Sequence, residues 1–103
     1  MTTRERLPNR RASETFELEC NGLRYRATAS WFYDGRLAEL FLNNPKANSA
    51  ADVNARDAAI ALSLALQHGA DVEVLRRALC RDGQGRASRP LGQALDFIAG
   101  DGQ

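Results

Sequence analysis

The sequence is poor in the side chains on which most site chemistry is built. It has one histidine, His68, and two cysteines, Cys20 and Cys80, separated by 60 positions with no second cysteine or histidine near either. Neither a zinc knuckle nor a Cys-x-x-Cys redox pair can be assembled from such spacing. Two buried free thiols are expected instead. No apolar run reaches the ~18 to 20 residues that a membrane span requires, and no apolar core follows the initial Met-Thr-Thr-Arg-Glu-Arg. A cytoplasmic protein is the resulting expectation. Lysine is nearly absent: Lys46 stands against 13 arginines. Positive charge therefore sits on planar guanidiniums, which pair with carboxylates and phosphates in a bidentate manner. The bias also fits a GC-rich genome. Neither a GxGxxG nor a Walker sequence is present, since Asp82-Gly83-Gln84-Gly85-Arg86 shares only its glycines with phosphate loops. Internal repeats and low-complexity tracts are absent too.

What remains is ordinary globular composition. Of 103 residues, 44% are hydrophobic and 26% charged, and 14 basic residues nearly balance 13 acidic ones. That balance argues against nucleic acid as a partner. A chain of this length makes one domain and buries roughly 65% of its unfolded surface.

Residues 1–13, with Arg4, Arg6, Arg10 and Arg11 around Pro8, read as an arginine-rich extended arm. Residues 14–99 read as one α+β domain, and 100–103 as a tail. From Glu14 the pattern alternates, with Phe16, Leu18 and Cys20 on one face, and then meets Asn21-Gly22, a two-residue hairpin signal. That turn pairs Cys20 with Leu23, Leu18 with Tyr25 and Phe16 with Ala27. It also sets Glu19 against Arg24 and Glu17 against Arg26 on the other face. A one-residue slip would misplace every one of these side chains. A second turn at Asp34-Gly35 completes a three-stranded antiparallel meander. If it too has two residues, Trp31 faces Ala38 and Ala29 faces Leu40. Phe32, Leu37 and Phe41 then fall on the face that should be solvated. Either the arm or the last helix covers them, or a bulge changes the register, or they form a subunit interface.

Asn43-Asn44-Pro45 breaks the third strand. Ser49 or Asn48 then caps a helix ending at His68-Gly69, with Asp52 in its first turn. Between Ala58 and Leu66 only Ser63 is polar, which predicts a central helix buried nearly all round, with alanines that let neighbours come close. Asp71 caps a short helix from Val72 to about Cys80, expected to turn Val74, Leu75, Ala78 and Leu79 inward and Arg76, Arg77 and Arg81 outward. A polar linker leads to a last helix, Leu91 to Ala99, burying Leu91, Leu95 and Ile98 or Phe97.

Candidate site residues are few. His68 sits where the helix dipole favours an imidazolium cap, or serves a ligand. Asp52, Arg56 and Asp57 form a helix-surface network or a ligand site. Arg81, Asp82, Arg86, Ser88 and Arg89 are a solvated linker or a phosphate-binding cluster. Arg6 and Arg10 of the arm could join them.

The order of these segments carries a resemblance. The hairpin, Asp34-Gly35-Arg36 before Glu39-Leu40-Phe41, and the alanine-rich helix ending Ser63-Leu64-Ala65-Leu66-Gln67-His68-Gly69 come first. Asp71-Val72-Glu73-Val74-Leu75 follows as a short helix. Together these resemble the TSCPD domain, found at the C-terminus of adenosylcobalamin-dependent ribonucleotide reductases and in small separate proteins. The resemblance covers roughly residues 4–98, from Arg6-Leu7-Pro8 to Pro90-Leu91-Gly92 and Leu95-Asp96. The Thr-Ser-Cys-Pro-Asp stretch that names the domain is missing, so no metal or redox role of that stretch carries over.

The resemblance implies an association with ribonucleotide reduction, and adenosylcobalamin enters only through it. Radical reduction of a nucleotide needs a thiyl-forming cysteine and a reducing cysteine pair inside a large barrel. Two cysteines in so short a chain cannot supply them. An accessory module that binds a reductase catalytic subunit or a nucleotide is the implied role, with no cofactor of its own. Arg6, Arg10, Arg56, Asp57, His68, Arg81, Arg86 and Ser88 are its candidate ligand contacts. The competing reading is a homodimeric interaction domain that uses Phe32, Leu37 and Phe41. A small sheet with free edges is often completed by a symmetric neighbour, which favours a homodimer in either case.

Overall fold

The computed structural model describes residues 3–100, so Met1, Thr2 and all of the expected tail except Gly100 lie outside the described residues. Three strands, β1 (Ser13–Cys20), β2 (Leu23–Trp31) and β3 (Leu37–Asn43), precede three helices, α1 (Ala50–Gln67), α2 (Val72–Ala78) and α3 (Pro90–Ile98). The sheet is antiparallel in the order β1-β2-β3, and α1 packs on it. The α+β meander read from the sequence is the fold.

The first hairpin has the expected register throughout, from Cys20 opposite Leu23 to Phe16 opposite Ala27. Asn21 and Gly22 both take positive φ, 55° and 80°, as this two-residue turn requires. The second hairpin differs. Phe32 N–H donates to the Arg36 carbonyl at 2.8 Å and Gly35 N–H to Phe32 at 3.0 Å, closing a three-residue loop with Gly35 at φ 92°. Asp34 favours this loop because its carboxylate accepts the Arg36 N–H at 3.1 Å. Trp31 therefore pairs with Leu37, not Ala38, and a bulge takes up the odd residue before Ser30–Glu39 and Ala29–Leu40 resume the expected register.

The bulge resolves the apolar surplus on the outer face. Leu37 joins the core beside Leu40 and Leu42. Phe32 is buried under the Arg36 guanidinium, 4.6 Å from the ring centroid, with Leu7 and Pro8 of the arm alongside. Only Phe41 of the three is exposed, so they do not make one outward apolar patch. The arm is docked along its length. Arg4 Nε donates to Gln67 Oε1 at 2.6 Å, Glu5 N–H to the Gln67 carbonyl at 2.6 Å, and Arg11 pairs with Glu39 at 2.9 Å.

Ser49 caps α1 by accepting the Asp52 N–H, and His68 and Gly69 close it. The buried Asp52 carboxylate accepts the N–H groups of Asn44 at 3.0 Å and Asn48 at 3.0 Å, so the acidic residue in the first turn also folds the loop before the helix. These two bonds hold its carboxyl below the usual aspartate range. Ala55, Ala59, Leu62 and Leu66 face the sheet, each leucine contributing ~2 kcal/mol by burial. The helix is not buried all round, because Val53, Ile60 and Leu64 are 40–46% exposed on its outer side. Nothing among the described residues packs a second layer over that side.

The short helix is rotated from its expected setting. Val74 is 65% exposed, whereas the Arg76 side chain is only 13% exposed because Asp96 of α3 accepts from it at 2.9 Å. Leu75 and Leu79 still reach the core, and Phe97 stacks on Phe16 with ring centroids 4.3 Å apart. The polar linker is an ordered small hairpin: Arg81 bridges Ala87, Asp82 N–H donates to the Arg86 carbonyl, and the Asp82 carboxylate accepts from Gln84 and Arg86. Its hydrogen bonds repeat those of the Phe32–Arg36 loop, with Gly85 in the place of Gly35.

Candidate functional site

The first half of α1 carries Ala51, Ala55 and Ala58 where it passes the β1–β2 hairpin. Small side chains there leave a gap, and the segment from Leu79 to Gly92 roofs it without filling it. The result is a cavity of about 480 Å³ with mostly apolar walls. This falls in the size range of small-molecule sites, roughly 300 to 1,000 Å³. The alanines read as close-packing residues thus also make space.

Several polar groups border that space. Tyr25 enters from β2 and is only 6% exposed, yet its hydroxyl has no partner among the described residues. Arg89 stands immediately before α3, its carbonyl accepting the Gln93 N–H at 3.1 Å while its guanidinium has no ion pair or hydrogen bond among the described residues. Pro90 opens α3, and no side chain caps the helix, so the first-turn N–H groups of Leu91 and Gly92 add positive potential at the same end. Asn54 lines the α1 wall, and Cys20 lies beneath, its Sγ donating to the Ser88 carbonyl at 3.6 Å.

Burial pushes the Cys20 thiol up, with Arg89 opposing more weakly, and burial also raises the Tyr25 phenol. Both groups stay protonated at neutral pH, which makes Cys20 a poor nucleophile. Cys80 at the rim is exposed, contrary to the expectation of two buried thiols. Among the described residues no three His, Cys, Asp or Glu side chains converge to hold a metal ion.

The candidate residues chosen from sequence are scattered. Arg6 lies beside the Phe32–Arg36 loop and Arg10 beside Glu39 and Phe41, both on the arm side of the sheet. Arg56 reaches Asp52 at 3.6 Å on α1, and Asp57 is exposed on the same helix. His68 Nδ1 donates to the Leu64 carbonyl at 2.8 Å, as an end cap does. Arg81, Arg86 and Ser88 do share one groove, but its three guanidiniums, with Arg76, face four carboxylates: Glu17, Glu19, Asp82 and Asp96. Arg81 is taken up by Asp96 in a bidentate pair at 2.7 and 2.8 Å. Ser88 contributes its carbonyl, which accepts from Asn21 Nδ2 at 3.1 Å as well as from Cys20. The sequence alone does not single out Tyr25 or Asn54, and it offers Arg89 as part of a solvated linker or of a phosphate-binding cluster with Arg81, Asp82, Arg86 and Ser88. Pro90 directly after Arg89 was the available signal, since proline favours the first helical position.

Among curated proteins the chain is similar to a vitamin B12-dependent ribonucleotide reductase of Agrobacterium fabrum (strain C58 / ATCC 33970), at 37% identity over 70 residues. The match covers 68% of this chain and 6% of the reductase. No protein-family model matches the chain, and no solved structure does either. The residues do not suit adenosylcobalamin: His68, the one imidazole, is tied to its own helix away from the cavity, and the cavity is too small for a corrinoid with its nucleotide tail. No helix among the described residues is long and apolar enough to cross a membrane.

Proposed function

We propose that this chain is a TSCPD-type accessory module of ribonucleotide reduction, working in the cytoplasm with a catalytic reductase and not reducing nucleotides itself. The 70-residue similarity to a segment of a B12-dependent reductase is the observation that carries this reading. The thiols support the non-catalytic part of it: one is buried and protonated, the other stands at a rim, and radical reduction needs three cysteines. Supplying the chain in trans tests the role. The Agrobacterium reductase is prepared with and without the segment similar to this chain, and this chain is added to each. Association at micromolar concentration, with a change in turnover or in its response to nucleotides, is expected for the shortened enzyme. No association and unchanged turnover would overturn the reading.

A second reading, a self-associating interaction domain, is favoured by the outward stripe Val53, Ile60 and Leu64 on α1. Phe32 and Leu37 are not available for it, and the outer edge of β3 is covered by α1 side chains. Sedimentation at tens of micromolar distinguishes the cases: a dimer that Ile60→Glu dissociates supports this reading, and an 11.3 kDa species throughout refutes it.

A further inference from the structure

We infer that the cavity between α1, the first hairpin and the head of α3 binds a small organic anion, with its charged head against Arg89 and its apolar body against the alanine wall. This inference stands on the cavity alone and does not depend on any link to ribonucleotide reduction. Three independent features agree. First, the cavity is already formed, with walls supplied by Ala51, Ala55, Ala58 and Leu79. Second, its polar end is cationic: Arg89 has no carboxylate among the described residues, in contrast to Arg76 and Arg81, which share Asp96. The uncapped first turn of α3 adds N–H groups beside it. Third, Tyr25 keeps a hydroxyl without a partner although 94% of the residue is removed from solvent, given its 6% exposure. The hydroxyl oxygen itself stays open to solvent, so a ligand acceptor would take the place of water on it.

The chemistry of the head follows from the donors. A guanidinium, a phenol and backbone N–H groups are all donors, so the complementary group is a phosphate or carboxylate. The volume and the small aliphatic wall suit a single ring or short chain.

The test is an NMR titration of the whole chain with phenyl phosphate and with benzoate, alongside inorganic phosphate and phenol as separate head and body. Saturable shifts at Tyr25, Ala55, Leu91 and Gly92 are expected for at least one of the two joined probes. That probe should bind about tenfold or more tightly than either part, and Arg89→Gln should weaken it by about tenfold, as loss of a charge-assisted hydrogen bond does. Whichever joined probe binds more tightly identifies the head. Arg89 is exposed, so its variant keeps the fold, and Tyr25→Phe provides a second, smaller loss. Absence of saturable shifts overturns the inference. So does phenol matching the joined probes with Arg89→Gln silent, or inorganic phosphate matching them.

Discussion

The hydroxyl of Ser63 accepts the N–H of Leu40 at 2.9 Å and donates to the carbonyl of the same residue at 3.0 Å. One side chain on α1 thereby closes both backbone groups that Leu40 turns away from β2. Gln67, one turn further on, donates to the Ala38 carbonyl at 3.1 Å. The outer edge of β3 is thus sealed from within the chain, and strand addition by a neighbour is blocked there. Ser63→Ala would leave an N–H and a carbonyl buried without partners. We expect a loss of about 2 kcal/mol in urea unfolding, against under 1 kcal/mol for Ser63→Thr if the hydroxyl keeps its place.

Asp96 joins three elements by accepting from Arg76 and from Arg81 at once. The Arg81 hydrogen bonds hold its carboxyl below the ordinary aspartate range, with Arg76 acting in the same sense. A depressed carboxyl stabilises the fold fully above its unfolded pKa, about 4, and that contribution fades as the pH falls through the lower folded value. Asp96→Asn should therefore lower Tm at pH 7 while narrowing its gap to the unsubstituted protein toward pH 2. A gap of constant size across that range would show that the charge is not the stabilising feature.

Gly92 leaves no room for a side chain. A Cβ there would stand 2.8 Å from the Ala87 Cβ, which belongs to the small hairpin and is buried. Helix propensity favours alanine over glycine by about 1 kcal/mol, but overpacking against a rigid neighbour costs about 1 to 3 kcal/mol, so Gly92→Ala should destabilise on balance. In a double-mutant cycle Ala87→Gly should recover part of that loss, and additive effects would refute the contact.

The two thiols should separate cleanly by reactivity. Cys80 is exposed, whereas Cys20 is 2% exposed with its thiol shifted up by burial. A thiol reagent at pH 8 should modify one equivalent quickly and the second only on unfolding, and Cys80→Ser should abolish the fast phase. Two fast equivalents would mean that the hairpin opens readily around Cys20.

Local chemistry made much of this fold legible in advance. Asn21-Gly22 dictated a two-residue turn, and with it every pair between β1 and β2, because a slip of one would have exposed Phe16, Leu18 and Cys20. Ser49, Asp71 and Gly69 likewise marked helix ends by bonds that reach only a few residues. The similarity to a reductase segment was also legible in the order of motifs. Tertiary structure decided the rest. Whether Asp34-Gly35 closes a two- or three-residue loop depends on where Leu37 can be buried, so the bulge and the fate of Phe32 were not local matters. Arg76 turns inward because Asp96, 20 residues away, is there to meet it. The cavity is the plainest case. Alanines on α1 can admit a neighbour or leave a space, and only the path of the chain from Leu79 to Gly92 determines that the Tyr25 hydroxyl and the Arg89 guanidinium border that space with no partner among the described residues.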